Sequence, residues 1–375
     1  MATAPAWGFD LHPHTRVVLS TGLPHRPASP APFDRALSPT AWDRLRGEVA
    51  THRLDGLLVA AVAGRVLPVT DEQKAEVAQL EIDLTLARMW HEHRILDIIG
   101  AFDAAGLSVR VLKGPALAAL DYPDRQWRPT RDLDLLVRGE QLDAAVSLLA
   151  RVGGLRTDPD PVPGFSATVG KGATMAMPDG LEVDLHRLLV WGPLGVRLPP
   201  EELWATSRSF SVGELHFETL GREETLLHAC AHLLVLGWRR ALGLRDIAQL
   251  LTTPALDADR AIGLSRRWGA EALLATGVLM SQRELALVDD LPVLDWARGV
   301  PLRRRDRLWL RVDRPDAPLP GVEALATYVE LRTADQRRML RAATLHPDPG
   351  TWPTPGQRAE RLARRLHRTV MRPFR

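Results

Sequence analysis

The chain has 375 residues, with 48 Lys and Arg against 46 Asp and Glu, 45% hydrophobic side chains and a single cysteine, Cys230. That balance excludes a wholly disordered chain, and one thiol excludes a disulfide-stapled secreted scaffold. The net charge of +2 says little about partners, but the type of cation says more, because lysine occurs only at Lys74, Lys113 and Lys171. A GC-rich coding bias accounts for the arginines and makes each retained lysine worth noticing. No apolar run approaches the ~20 residues of a membrane span. The longest, Leu57 to Ala63, is broken by Gly64 and Arg65. The N-terminus lacks the basic-then-apolar order of a signal peptide, so the expectation is a soluble, cytoplasmic protein without a transmembrane segment.

Residues 1–38 hold Pro5, Pro13, Pro24, Pro27, Pro30 and Pro32 without a helical period, which predicts a flexible Pro-rich arm. Ser38-Pro39 then caps and opens a helix in which Trp42, Leu45 and Val49 recur at helical spacing. A second helix is expected over about 54–63. Thr70 caps a third, long one, whose Val77, Leu80, Leu84, Ala87, Ile95, Ile98 and Phe102 share a face until Gly106. Residues 39–106 therefore form a helical region.

From Leu107 the period changes. Leu107–Leu112 alternates like a strand, a short helix follows Pro115, and Asp132–Val137 is a buried strand. Glu140–Val152 is helical. Residues 165–177 and 181–186 are two strands joined around Pro178-Asp179-Gly180. Residues 107–220 thus form an α+β core. Residues 221–345 are helical again, with Leu226, Leu227, Ala231, Leu234 and Val235 on one face and Leu244, Ile247, Leu250 and Leu251 on another. An Arg-rich tail, 346–375, carries Leu362, Leu366 and Val370 in a row. It reads first as a solvated helix face, ahead of a nucleic-acid or membrane-surface contact.

The chemistry concentrates between Val111 and Val137. Asp132 and Asp134 are two apart on a strand, so both carboxylates project from one face while Leu133 and Leu135 point to the core. Two neighbouring carboxylates stay ionised cheaply only with positive charge between them, and a hard divalent cation, Mg2+ or Mn2+, suits that role. Lys113-Gly114 closes the preceding strand, offering a point charge and a backbone that phosphate can approach. Arg128, Thr130 and Arg131 lead into Asp132 and add cations and a hydroxyl where a triphosphate needs them. Further on, Glu182, Asp184 and His186 share a strand face. Asp184 can complete a metal cluster or act as base toward a hydroxyl, with Glu182 as the fallback.

Leu112-Lys113-Gly114, Tyr122-Pro123, Arg128-Pro129, the run Asp132-Leu133-Asp134-Leu135-Leu136-Val137 and Val183-Asp184-Leu185-His186 together resemble the uncharacterised nucleotidyltransferase family of the polymerase β-like superfamily. The chain resembles AbiEii-type toxins less closely. Leu227-His228 and Arg245-Asp246-Ile247-Ala248 extend the resemblance into the helical half, so that it covers about residues 40–290. It implies a small mixed sheet with helices, flanked by N- and C-terminal helical regions, and metal-dependent transfer of a nucleoside monophosphate from an NTP with loss of pyrophosphate. Asp132, Asp134 and Asp184 would hold the metal and serve catalysis. Lys113, Gly114, Arg128, Thr130 and Arg131 would bind the nucleotide. The acceptor would be a hydroxyl on a peptide or protein, a small metabolite or, less favoured, an RNA end. One departure stands out: Gly114-Pro115-Ala116 has neither the hydroxyl nor the second glycine of most superfamily members, and Pro115 lacks an N–H. This keeps two alternatives open, a non-catalytic nucleotide- or partner-binding protein and transfer of a glycosyl or sugar-phosphate unit from a nucleotide sugar.

Other signals read as structural. His91 and His93 lie on different sides of a helix and lack metalloprotease spacing, which suggests a surface role. His228 and His232 are one turn apart with Cys230 between them, but packing or hydrogen bonding is favoured over zinc. Gly170-Lys171-Gly172 lacks P-loop spacing, and a surface turn is favoured over Lys171 reaching a substrate from a hairpin. Trp238, Trp268, Trp296 and Trp309 read as core packing.

Overall fold

The computed structural model describes residues 9–24, 35–235, 240–304, 306–307, 310 and 320–345. The Arg-rich tail, Trp238 and Trp309 lie outside the described residues. Among those residues no helix is long and apolar enough to cross a membrane.

Among the described residues four helices precede the sheet: α1 (Pro13–Ser20), α2 (Pro39–His52), α3 (Asp55–Ala63) and α4 (Asp71–Ala104). The expected starts match those of α2 and α4. The Ser38 hydroxyl accepts the Ala41 N–H, and Thr70 and Gln73 form a reciprocal capping box. Helix α1 falls inside the stretch expected as a flexible arm. Its Val18 and Leu19 are fully buried, and the Arg245 guanidinium donates to the carbonyls of Leu19 and Thr21 at 2.9 and 2.7 Å. The prolines hid a one-sided apolar turn that begins, as prolines often allow, at the first helical position.

The core then runs β1 (Val109–Val111), α5 (Gly114–Leu120), β2 (Asp132–Val137), α6 (Leu142–Arg151), β3 (Leu155–Arg156), α7 (Phe165–Thr168), β4 (Gly172–Ala176) and β5 (Glu182–His186). The five strands form one mixed sheet in the order β1-β2-β5-β4-β3. β2 and β5 pair in parallel at its centre, and the other pairs are antiparallel. Short helices α8 (Pro193–Arg197) and α9 (Glu202–Ala205) lead to a separate hairpin, β6 (Ser207–Val212) and β7 (Leu215–Leu220), which the sequence reading did not anticipate. Helices α10 (Arg222–Val235), α11 (Ala241–Leu251), α12 (Ala258–Arg267), α13 (Glu271–Leu285) and α14 (Pro292–Gly299) follow, then Pro320–Glu330 and Ala334–Leu345.

Strand alternation divides the packing. Leu133, Leu135 and Val137 join Val183, Leu185 and the α4 residues Ile95, Ile98, Ile99 and Phe102 in one core. Leu136 points the other way, into a second core built jointly by α1–α3 and α10–α14. The N- and C-terminal helices are therefore contiguous in space although the sheet separates them in sequence. Asp132 and Asp134 share the strand face of Leu136, so the carboxylates look toward that helical body.

Candidate active site

The register of β2 and β5 assembles the site. Asp132 pairs with Glu182, Asp134 with Asp184, and Leu136 with His186. Residues opposite each other on neighbouring strands carry side chains on the same face, so Asp134 and Asp184 are brought together. One ligand atom each from Asp134, Asp184 and His186 lies within 4.8 Å of the other two. Asp132 is outside this group. Its carboxylate is 43% exposed and faces Arg53 at 3.8 Å.

Asp134 is the most buried acid of the cluster, at 4% exposure. A carboxylate taken out of water needs compensation worth several kcal/mol. Here Lys113 Nζ donates to Asp134 Oδ1 at 2.6 Å, and His186 Nε2 lies 2.7 Å from the same oxygen. Burial pushes the Asp134 carboxyl up, but the Lys113 ammonium and the His186 ring outweigh it and hold the group well below the usual carboxylate range. Burial lowers the His186 pKa, and the fields of Lys171 and Lys113 lower it further against the pull of Asp134.

The tautomer of His186 bears on metal binding. Its Nδ1 lies 3.2 Å from the Leu188 carbonyl oxygen. A carbonyl only accepts, so Nδ1 carries the proton and, in the neutral ring, Nε2 presents a lone pair. That lone pair faces a carboxylate oxygen that already accepts from Lys113. At 2.7 Å these two atoms need a cation: a proton on Nε2, which then donates to Asp134, in the free protein, and a metal ion in its place when one binds. A metal-ligating histidine usually has its other N–H on a backbone carbonyl in this way. Two carboxylates and one such imidazole fit a divalent metal ion.

The remaining predicted residues divide. Lys113 stands at the site with φ 52° and ψ −120°, a conformation costly for a side-chain-bearing residue and typical of functional positions. Gly114 is buried under Thr130: a β-carbon there would lie 2.9 Å from Thr130 Oγ1. The glycine thus serves a close packing contact. The helix that it opens, α5, has only seven residues with Pro115 in its first turn. Arg131 is exposed and pairs with Asp55 at 3.5 Å. The Arg128 guanidinium is held by Asp246 at 2.8 and 3.0 Å, and the Asp132 carboxylate adds to the field on it.

Several site residues escaped the sequence reading. His186 was noted only for its strand face. Arg53, the αL residue that ends α2, comes from a helix remote in sequence. Burial and the neighbouring Arg240 bring its pKa down to about 10, with Arg131 and Arg128 adding repulsion and Asp132 opposing it. Such crowding of guanidinium groups is the chemistry of an anion site. Lys171 reaches Asp184 Oδ2 at 3.7 Å; lysine scarcity was the signal for it. His91, read as a surface residue, is buried at 9% exposure and borders an open cleft of about 580 Å3 with Ala87, Pro115, Ala118, Arg125 and Thr130. His228 and Cys230 are buried, as the packing reading expected.

Paired carboxylates on adjacent central strands are thus flanked by ammonium and guanidinium groups. Residues 38–285, more than half of the chain, match the family described as uncharacterised nucleotidyltransferase. The chain belongs to that family. A search of curated proteins found no match. Among solved structures, the crystal structure of ANT(2'')-Ia in complex with adenylyl-2''-tobramycin is 16% identical, covering 48% of this chain and 97% of that one at a TM-score of 0.35. An antigenic nucleotidyltransferase-like protein from Paracoccidioides brasiliensis is 12% identical, covering 54% and 97% at a TM-score of 0.32. Likeness at these scores does not bear on acceptor or base.

Proposed function

We propose that the protein transfers a nucleoside monophosphate from an NTP to a hydroxyl acceptor, releasing pyrophosphate, with a divalent ion, Mg2+ or Mn2+, held by Asp134, Asp184 and His186. The observation that carries this reading is the in-register pairing of Asp134 with Asp184, with the His186 ring nitrogen brought to the same point. When bound, the ion would neutralise phosphate charge and lower the pKa of an oxygen nucleophile.

The protein's own groups supply positioning and charge. Lys113, Arg53 and Arg131 would receive the triphosphate around Asp132, which is exposed enough to join the metal site once the nucleotide arrives. Asp184, 21% exposed and oriented by the Thr174 hydroxyl at 2.6 Å, is the group placed to take the acceptor proton. Pro115 and Thr130 line the cleft beside α4, and that cleft would seat the apolar part of a peptide or small-metabolite acceptor. We assign Arg128 a positioning role, through Asp246, in place of direct phosphate contact. The setting would be the cytoplasm, where NTPs are available.

The test is pyrophosphate release from each NTP with Mg2+ or Mn2+, with and without cell extract as acceptor source, beside an Asp134→Asn/Asp184→Asn control. Metal-dependent release absent from the control supports the reading, and α-labelled NTP identifies the acceptor. Metal-dependent nucleotide binding with no release from any NTP overturns it.

A further inference from the structure

Only three of the 48 Lys and Arg residues are lysine, and two of the three stand against the paired carboxylates. Lys113 Nζ is 2.6 Å from Asp134 Oδ1, and Lys171 Nζ is 3.7 Å from Asp184 Oδ2. The third, Lys74, is exposed on α4. The sheet order β1-β2-β5-β4 makes the arrangement two-sided: Lys113 comes from the end of β1, outside β2, and Lys171 from the start of β4, outside β5.

Lys171 is held there by its backbone. Its carbonyl accepts the N–H groups of both Arg187 and Leu188, at 2.7 and 3.0 Å. The next residue, Gly172, passes so close to β5 that a β-carbon would fall 1.7 Å from the Leu185 carbonyl oxygen. The loop is thus fixed, while the side chain stays 35% exposed with a longer ion-pair distance than that of Lys113. A compact ammonium on a flexible stem can leave a carboxylate, whereas an arginine fork would tend to lock onto it with two bonds.

We propose that Lys171 is a displaceable counter-cation. Its ammonium neutralises Asp184 in the free protein and swings to the phosphates of the nucleoside triphosphate when a divalent ion takes the carboxylates, as Lys113 does on the other side. This rests on the nucleotidyltransferase reading above and extends it to a residue outside the family motifs. A divalent ion arriving alone must expel the ammonium, so its affinity is held down. With triphosphate present, the expelled charge finds a new partner, and the two ligands favour each other's binding by linkage.

The full chain is titrated calorimetrically with Mn2+ alone, and with inorganic triphosphate in the presence and absence of Mn2+, for the wild type, Lys171→Met and Lys171→Arg. Inorganic triphosphate avoids any dependence on the base. Lys171→Met is expected to bind Mn2+ alone several-fold tighter and triphosphate with Mn2+ roughly tenfold weaker, so that the coupling shrinks. Lys171→Arg, keeping the charge, is expected to bind Mn2+ no tighter than the wild type. A Lys171→Met protein with a wild-type melting profile and both affinities unchanged, or both weakened, overturns the proposal while leaving the pyrophosphate assay free to stand. Tighter Mn2+ binding by Lys171→Met, with no triphosphate binding by the wild type, overturns both the nucleotidyltransferase reading and the swing to phosphate.

Discussion

Arg128 and Asp246 form a two-pronged ion pair, 2.8 and 3.0 Å, that joins the segment leading into β2 to helix α11. The Tyr122 hydroxyl donates to the same carboxylate at 2.7 Å. Two separated motif elements, Tyr122-Pro123 with Arg128-Pro129 and Arg245-Asp246, therefore meet in one buried network, which seats the sheet against the helical body. Burial costs Arg128 charge stability, but Asp246 outweighs it and raises the guanidinium pKa, so the pair stays ionised.

Removing one partner leaves the other charged and buried, at a cost of about 3–5 kcal/mol. Asp246→Asn and Arg128→Met should each lower the urea midpoint accordingly, and the double variant should recover part of the loss. If Arg128→Met instead kept its stability and lost only triphosphate affinity, Arg128 would be a phosphate ligand after all.

Gly114→Ala tests the second close contact. Its new methyl would lie 2.9 Å from Thr130 Oγ1 and 3.1 Å from Thr130 Cγ2, closer than van der Waals contact allows. Overpacking of this kind costs about 1–3 kcal/mol. Thr130→Ala removes both clashing atoms, so Gly114→Ala/Thr130→Ala should be more stable than the sum of the single changes by about 1 kcal/mol or more. Additive losses in a denaturation cycle would show that Gly114 serves something other than packing.

The sheet's central chemistry was readable because it is local. Asp132 and Asp134 declare their shared face by spacing alone, and β2 runs over the residues expected for it. The pairing of Asp134 with Asp184 needed only the inference that two acidic strands lie side by side. What stayed hidden depends on tertiary approach. Arg53 reaches Asp132 across 79 positions of chain, and no local pattern marks the end of α2 as part of a site. The ion pair that holds Arg128 was hidden for the same reason, since its partner, Asp246, is 118 positions away. The β6–β7 hairpin was missed because Ser207–Val212 is short and opens with three polar residues in a row, with only Gly213 to mark the turn.

Acid should destabilise the fold through His228. This ring is 3% exposed, and among the described residues its Nε2 has no hydrogen-bond partner. Burial, and then the charges of Lys113 and His186, hold its pKa well below the ordinary histidine value. The unfolded chain takes up the proton near pH 6.5 and the native state does not, so stability is unaffected above that pH and falls as pH drops below it toward the native value. The expected slope from this residue is about 1.4 kcal/mol per pH unit. His228→Phe keeps an aromatic edge against His186 and removes the titration. Urea unfolding from pH 8 to 5 should show a shallower decline for the variant, and parallel curves would refute the assignment.

The proposed metal-ligand set can be separated residue by residue. Asp134, Asp184 and His186 already converge in the free protein, whereas Asp132 faces Arg53. Asp134→Asn should therefore abolish most Mn2+ binding in the absence of nucleotide, and His186→Gln should weaken it by roughly 10- to 100-fold, while Asp132→Asn should change it little. An imidazole ligand favours first-row transition ions over Mg2+, so His186→Gln should also narrow the preference for Mn2+ over Mg2+. The Asp132 effect is expected to grow once triphosphate is present, because its carboxylate joins the site only with the nucleotide. Calorimetric titrations with each ion, checked against melting curves, decide the matter. An Asp132→Asn loss as large as that of Asp134→Asn without nucleotide would mean that the resting site is a three-carboxylate one and that His186 serves only to hold Asp134 in place.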